Sequence, residues 1–264
     1  HFGTYKVFVN YIPVADITML HGELFRSVKR ESIKRAGILY APPNYLRMAM
    51  YLELSRPKGD VSRWEKVLKR LILLNKHYPL KGKNCNLVDI QRSFESKKTN
   101  EGTIYGLVKR ALIDEGVVFF GGYANSLYSN YMPKHLRDKL KKIPDFDVLT
   151  EDPKNTATIV KERLSYDDIS NVSIKKHNPI GELVDEHYSI IVDGETVAFL
   201  YKPNACHSYN ILNIEHSKIK IATIDTMLSM YLAFLYSNRD YFEPDRILCM
   251  AQYLFTVQQK NRLK

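Results

Sequence analysis

The stretch that most constrains this chain is VVFFGGYANSLYSNYMPKHLRDKLKKIPDFDVLTEDP, residues 117–153. An apolar run ends at Gly121-Gly122, small and polar residues open a helix, and Asp145-Phe146-Asp147 follows between apolar neighbours in a second strand. Strand, glycine turn, helix, strand is the order of an α/β domain. Side chains alternate along a strand, so Asp145 and Asp147 project to one face and Phe146 to the other. Two carboxylates that close repel unless a cation stands between them. Hard, oxygen-liganded ions, above all Mg²⁺, suit such a pair and complete their shell with water and substrate phosphates. The glycine pair has its own chemistry, because backbone can approach a ligand closely there and free N–H groups at a helix start attract phosphate oxygens. The same residues also admit a plain tight turn at the glycines and an aspartate that caps a turn after "KIPD".

Around this stretch the spacing predicts a helix over about 87–115, a strand at 117–120, a helix over about 123–140, a strand at 145–149, a helix at 153–166 and a strand at 171–176. A hairpin of 187–192 and 195–201 and two helices, 223–236 and 243–260, complete it. Asp193-Gly194 reads as a two-residue hairpin turn, Pro153 as a helix start, and Asp152 as its N-cap. Trp64, Val67, Leu68, Leu71 and Leu74 recur at helical spacing and read as a core stripe.

Composition narrows the function classes. Lys and Arg number 39 against 29 Asp and Glu, a net charge of +10, which favours a polyanionic partner. No apolar run reaches the roughly 18 residues of a membrane helix and no signal peptide opens the chain, so a soluble protein is expected. The three cysteines, Cys85, Cys206 and Cys249, are far apart and odd in number, which points to reduced thiols with no disulfide framework and no Cys-x-x-Cys zinc site. Cys206 beside His207 reads as a packed cysteine, since strand neighbours face opposite ways. The opening in a strand without an initiator methionine, and the close in "TVQQKNRLK", fit a fragment cut at both ends.

Compared with itself at an offset of 183 residues, the chain lays "YKVFVNYIPVADITML" from Tyr5 over "YSIIVDGETVAFLYKP" from Tyr188. "RWEKVLKRLILLNK" falls over "RILCMAQYLFTVQQ" at the same offset, and between them the two Tyr-Leu pairs align with a three-residue gap. On this repeat, residues 1–84 are the back half of a first unit, and 85–264 form a second that alone carries the glycine pair and the aspartates. Chance similarity of two αβ segments is the competing explanation.

Glycine pair, helix and Asp-x-Asp on the next strand resemble the signature of the polymerase-β-type nucleotidyltransferases. "IPDFDVLTEDP", "AFLYKPNACHSYN", "IATIDTMLSMYLAFLY", "RILCMAQYLFTVQQKNRL" and "YAPPNYLRMAMYLELSRPKGDVSRWEKVLKRL" further resemble the poly(A) polymerase catalytic subunits of mimivirus-like giant DNA viruses, relatives of the poxvirus enzyme. The resemblance implies a nucleotidyltransferase fold, a mixed sheet with flanking helices, in which a degenerate copy precedes a catalytic one. It implies template-independent addition of AMP from ATP to RNA 3′ ends by a two-metal mechanism, with Mg²⁺ or Mn²⁺ as cofactor. Asp145 and Asp147 would be the catalytic metal ligands, with Gly121, Gly122 and Ser126 at the triphosphate. It also implies RNA and ATP as partners, a homodimer or partner subunit, and a place in the host cytoplasm, at the viral factory, or in the virion.

The family's third carboxylate is expected on the second strand of the later hairpin, where the repeat places Phe199, opposite Asp16 of the first unit. Glu195 and Glu186 are the nearby acidic candidates. Two other classes compete: an inactive nucleotidyltransferase-like RNA-binding or dimerisation module, which Phe199 favours, and an enzyme that modifies a small molecule or protein, which the +10 charge disfavours. "KHLRDKLKK" at 134–142 and "VSIKKH" are candidate RNA contacts or plain solvated faces. Asp225 and Thr226 resemble the start of the family's nucleotide-side helix or serve as a helix cap.

Overall fold

The structure, a computed structural model, describes residues 3–88, 101–129, 134–137 and 143–261. Its first part runs β1 (Thr4–Val9), β2 (Ile12–Thr18), α1 (Gly22–Arg30), β3 (Ile33–Arg35), β4 (Ile38–Tyr40), α2 (Pro43–Leu54) and α3 (Trp64–His77). Then come α4 (Glu101–Asp114), β5 (Val118–Phe120), α5 (Gly121–Tyr128), α6 (Lys134–Arg137), β6 (Phe146–Leu149), α7 (Pro153–Tyr166) and β7 (Val172–His177). Two hairpins, β8 (His187–Val192) with β9 (Glu195–Tyr201) and β10 (Tyr209–Ile214) with β11 (Ser217–Ala222), precede α8 (Ile224–Phe234) and α9 (Pro244–Asn261).

The described strands from β5 to β11 form a 7-stranded mixed sheet ordered β10-β11-β5-β6-β9-β8-β7. β6 lies at its middle, antiparallel to β5 and parallel to β9. α7 packs on β7, β8 and β9 with α4 against it, while α2 packs on α8, which in turn lies on α9. The fold expected from the sequence, a mixed sheet with flanking helices, is the fold observed.

Local chemistry explains several boundaries. Asp152 caps α7 by accepting a hydrogen bond from the Asn155 amide at 3.0 Å, and Pro153 opens that helix. Asp193 and Gly194 turn the β8–β9 hairpin with φ of 52° and 88°, the left-handed pair such turns require. On α3, Val67 and Leu71 are buried while Trp64, Leu68 and Leu74 are half-buried, the expected stripe. β8 and β9 are almost wholly buried, as befits strands in the body of a sheet covered by α7.

Other expectations change. Asp145 lies one residue before β6 instead of inside it. Of the helix placed at about 87–115, the described part is α4, which begins at Glu101, and residues 89–100 lie outside the described residues. The β10–β11 hairpin falls where the sequence predicts no element; Glu215 and His216 take φ of 49° and 64° in its turn without the glycine that marks such turns. Cys85 and Cys249, 164 residues apart, are joined in a disulfide with Cα atoms 5.3 Å apart, where reduced thiols were expected. Spacing could not reveal this pair, because only the packing of α9 beside residues 80–88 brings the two sulfurs together. The Gly82 amide donates to Gln252 Oε1 at 2.7 Å beside the bond. Cys206 is exposed and not packed, while its neighbour His207 is buried.

β1–β2 stands apart as a two-stranded sheet, exposed on both faces, with Tyr5, Phe8, Ile12 and Ile17 each more than half exposed. Its strands span 4–9 and 12–18, and those of β8–β9 span 187–192 and 195–201, each bound shifted by the 183 residues of the sequence repeat. A second hairpin and two helices follow in both places. Among the described residues no helix is long and apolar enough to cross a membrane.

Candidate active site

β5 carries Phe119 and Phe120 fully buried, and the chain leaves it through Gly121 at φ +67°. The ladder register places this glycine: Phe120 pairs with Asp147 across β5 and β6, so the next residue, Gly121, lies against the aspartate. A β-carbon on Gly121 would meet Asp147 Oδ2 at 2.0 Å, well inside any van der Waals contact. Glycine is required here twice, by the left-handed backbone and by the carboxylate.

Phe146 explains how the two aspartates keep one face. Its ring enters the core, stacked on Tyr105 at 4.4 Å and edge-on to Phe119 and Tyr123. Burial of such a ring stabilises by about 2–3 kcal/mol, enough to fix the register of a short strand. Asp145 and Asp147 then both line one pocket with Phe199, Tyr231, Arg246 and Met250. Asp145 is buried and Asp147 half-buried, so a ligand reaches the pair from the Asp147 side. Between these walls there is room for little more than a water molecule.

Tyr231 of α8 is buried in that wall, and its hydroxyl accepts a hydrogen bond from Asn125 Nδ2 of α5 at 3.1 Å. Burial first, then the charge of Asp147, pushes its phenol well above the usual range.

Opposite Asp147 in the parallel ladder stands Phe199, the residue that the sequence repeat aligns with Asp16. Its ring stacks on Tyr241 at 5.9 Å, and Tyr241 hydrogen-bonds His187 Nε2 at 2.9 Å. Neither acidic candidate reaches the pocket wall. Glu195 sits at the exposed start of β9, paired with Val192, and Glu186 forms an ion pair with Lys176 at 2.8 Å that holds its carboxyl below the usual value. Among the described residues no three His, Cys, Asp or Glu side chains gather into a metal-holding group.

The triphosphate candidates divide. Gly121 abuts Asp147, Gly122 is buried in the first turn of α5, and Ser126 donates its hydroxyl to the Tyr123 carbonyl at 2.6 Å, away from the pocket wall. Asp225 accepts from Gln258 Nε2 at 2.6 Å, and the Thr226 amide is capped by Thr223 at 3.3 Å, which makes this helix start structural. "VSIKKH" forms the edge strand β7; of "KHLRDKLKK", residues 138–142 lie outside the described residues. Sequence reasoning missed Tyr231 and Arg246, whose spacing gives no sign that they share a pocket with the aspartates, and Asn125, which hydrogen-bonds Tyr231.

Comparisons with known proteins agree with the sequence resemblance. A family model described as "Poly(A) polymerase catalytic subunit" matches residues 1–60, a span outside the two-aspartate pocket. A protein of Acanthamoeba polyphaga mimivirus named "Putative poly(A) polymerase catalytic subunit" is 23% identical over 266 residues, covering 90% of this chain and 45% of that protein. The crystal structure of the Megavirus polyadenylate synthase superposes with a TM-score of 0.75 at 17% identity, over 99% of this chain and 54% of that one. The chain thus spans about half the length of these relatives. In sequence it is similar to the poly(A) polymerase catalytic subunits of giant DNA viruses, and it shares the fold of a viral polyadenylate synthase.

Proposed function

We propose that this chain is the catalytic part of a template-independent adenylyltransferase that adds AMP from ATP to RNA 3′ ends. The observation that carries the reading is the pairing of Asp145 and Asp147 in one pocket, with Gly121 pressed against the second of them. Residues 85–264 form the catalytic copy in this reading, and residues 1–84 the back half of a degenerate one.

Two carboxylates open on one side fit a hard divalent cation, which takes one or two protein carboxylates and fills its shell from water and phosphate. Asp145 and Asp147 would hold Mg²⁺ or Mn²⁺, two ions on the family's pattern, which when bound supply charge to neutralise the triphosphate and the departing pyrophosphate. In the reaction the RNA 3′-oxygen forms a bond to the α-phosphorus of ATP, the bond from that phosphorus to the bridging oxygen breaks, and pyrophosphate leaves. With Phe199 at the third position, these two carboxylates carry the site, and Asp147, the more exposed, accepts the proton of the 3′-hydroxyl. Positioning and electrostatics supply most of the rate. The +10 net charge suits an RNA partner, and a second subunit or copy would complete the assembly. A place in the viral factory or virion follows from the resemblance alone.

Phe199 favours a second reading, an inactive RNA-binding or dimerisation module. Primer extension separates the two. Labelled oligo(A) RNA is incubated with Mg²⁺ or Mn²⁺ and each NTP in turn, with wild type and with the Asp145→Ala/Asp147→Ala variant. Growth with ATP alone that vanishes in the variant supports the enzyme; no growth, with salt-dependent RNA binding intact in both proteins, leaves the binding module.

A further inference from the structure

A cavity of about 540 Å³ opens between the start of α2 and the end of α3, and it shares no residue with the two-aspartate pocket. Sites for small ligands run to roughly 300–1,000 Å³, so this one is large enough to hold a molecule. Its floor is Arg47 of α2, which is shielded from bulk solvent. The guanidinium donates to Asn75 Oδ1 from Nε at 2.8 Å, and also to Asn44 Oδ1 and to the Tyr78 carbonyl. All three acceptors are neutral. A buried charge is ordinarily met by an opposite one, and here a full positive charge is held with no carboxylate among its hydrogen-bond partners. Capping the end of α3 accounts for the Tyr78 contact alone, and a neutral amide would do that without burying a charge.

The rest of the wall points the same way. α2 begins at Pro43 with no side-chain cap, and Pro42, Pro43 and Asn44 line the cavity, so the positive end of the helix dipole faces this space. The end of α3 would oppose an anion, but the carbonyl of its C-cap residue Tyr78 is the one Arg47 takes up. Lys81 is exposed and brings a second cation to the wall, where Arg47 and Lys81 outweigh the one acidic residue, Glu31. Its segment is fixed on both sides: Leu80 is buried, and the Gly82 amide donates to Gln252 Oε1 at 2.7 Å. Ile33, Pro79 and the half-exposed Tyr78 ring supply apolar surface beside this charge. A flat apolar face next to concentrated positive charge suits a nucleobase and its phosphate.

We infer that this cavity is a nucleoside-phosphate site separate from the Asp145–Asp147 pocket: Lys81 and the start of α2 take the phosphate above the buried charge of Arg47, and Tyr78 stacks on the base. A free nucleotide and a nucleotide within an RNA strand present the same chemistry to it. The inference does not depend on the adenylyltransferase reading.

Titration calorimetry tests it on the full chain in EDTA, in the Asp145→Ala/Asp147→Ala background that removes the two carboxylates of the other pocket, with AMP, oligo(A) RNA and inorganic phosphate as separate probes. The expected result is that AMP or oligo(A) binds more tightly than inorganic phosphate. Lys81→Glu and Tyr78→Ala, the latter keeping the backbone carbonyl that Arg47 needs, should each weaken that binding by roughly 10-fold at an unchanged unfolding temperature. Binding of AMP identifies a free nucleotide as sufficient, and binding of oligo(A) alone identifies an RNA strand as the source; both support the site. No binding of either, inorganic phosphate bound as tightly as both, or binding that neither Lys81→Glu nor Tyr78→Ala weakens overturns it. Arg47→Met should abolish binding if it folds, and retained binding in the folded variant overturns the role of that charge; if it does not fold, the two exposed variants carry the comparison.

Discussion

Gly121 and Asp147 stand so close that no side chain fits between them, with a β-carbon on Gly121 meeting Asp147 Oδ2 at 2.0 Å and Asp147 Cβ at 2.6 Å. The second distance matters more than the first, because a carboxylate oxygen can rotate away while a Cβ moves only with the strand. Gly121→Ala therefore displaces β6 or α5 and also puts a side chain at φ +67°, which costs about 1–2 kcal/mol by itself. Because a displacement of about 1 Å costs on the order of 100-fold, ATP-dependent primer extension should fall at least that far while the protein stays folded by circular dichroism. Near-normal activity in Gly121→Ala would show that this contact does not position the aspartates.

Phe199 stands in register with Asp147, where a third carboxylate would complete the site. Phe199→Asp should act in two directions at once. Loss of a buried ring stacked on Tyr241 destabilises by about 3–5 kcal/mol, since a carboxylate replaces aromatic packing. The added carboxylate should tighten Mn²⁺ binding by on the order of 10-fold, and the metal should restore part of the lost stability by mass action. Calorimetry and thermal unfolding with and without Mn²⁺ check this; a variant that is destabilised and gains no affinity means Phe199 does not face the metal.

The Cys85–Cys249 bond ties α9, which supplies Arg246 and Met250 to the pocket, to the segment after α3. A crosslink across 164 residues restricts the unfolded chain and typically contributes about 2–4 kcal/mol. Reduction, or Cys249→Ser, should therefore lower the unfolding temperature by roughly 5–10 °C. Differential scanning fluorimetry with and without dithiothreitol measures it, and an unchanged temperature would mean the thiols are not joined in solution.

Stability should fall on mild acidification. His187 and His207 are buried, and burial lowers each pKa to about 4 from an ordinary 6.5. Below pH 6.5 the unfolded chain takes up these two protons while the native state does not, so their neutral burial favours folding above pH 6.5 and progressively less as pH drops towards 4. By pH 5 the loss is about 2 kcal/mol per histidine relative to pH 7.5. Urea midpoints at the two pH values test it, and His187→Gln should remove part of the difference. An identical pH difference in the variant would place the acid sensitivity elsewhere.

Short-range physics was legible in the sequence. The Asp193-Gly194 turn, the Asp152 cap, the α3 stripe and the alternation that sets Asp145 and Asp147 on one face each depend on residues within a few positions of one another. The strand bounds of the β1–β2 and β8–β9 hairpins recur at the offset at which the sequence aligns with itself. Only the tertiary structure decided the rest. Tyr231 meets Asn125 across 106 residues, Cys249 meets Cys85 across 164, and β11 inserts beside β5 from the far end of the chain. Such contacts are set by how whole elements pack, and nothing in the local sequence around either partner records the other, so a tyrosine in an apolar helix and a lone cysteine read as ordinary core until the fold brings their partners to them.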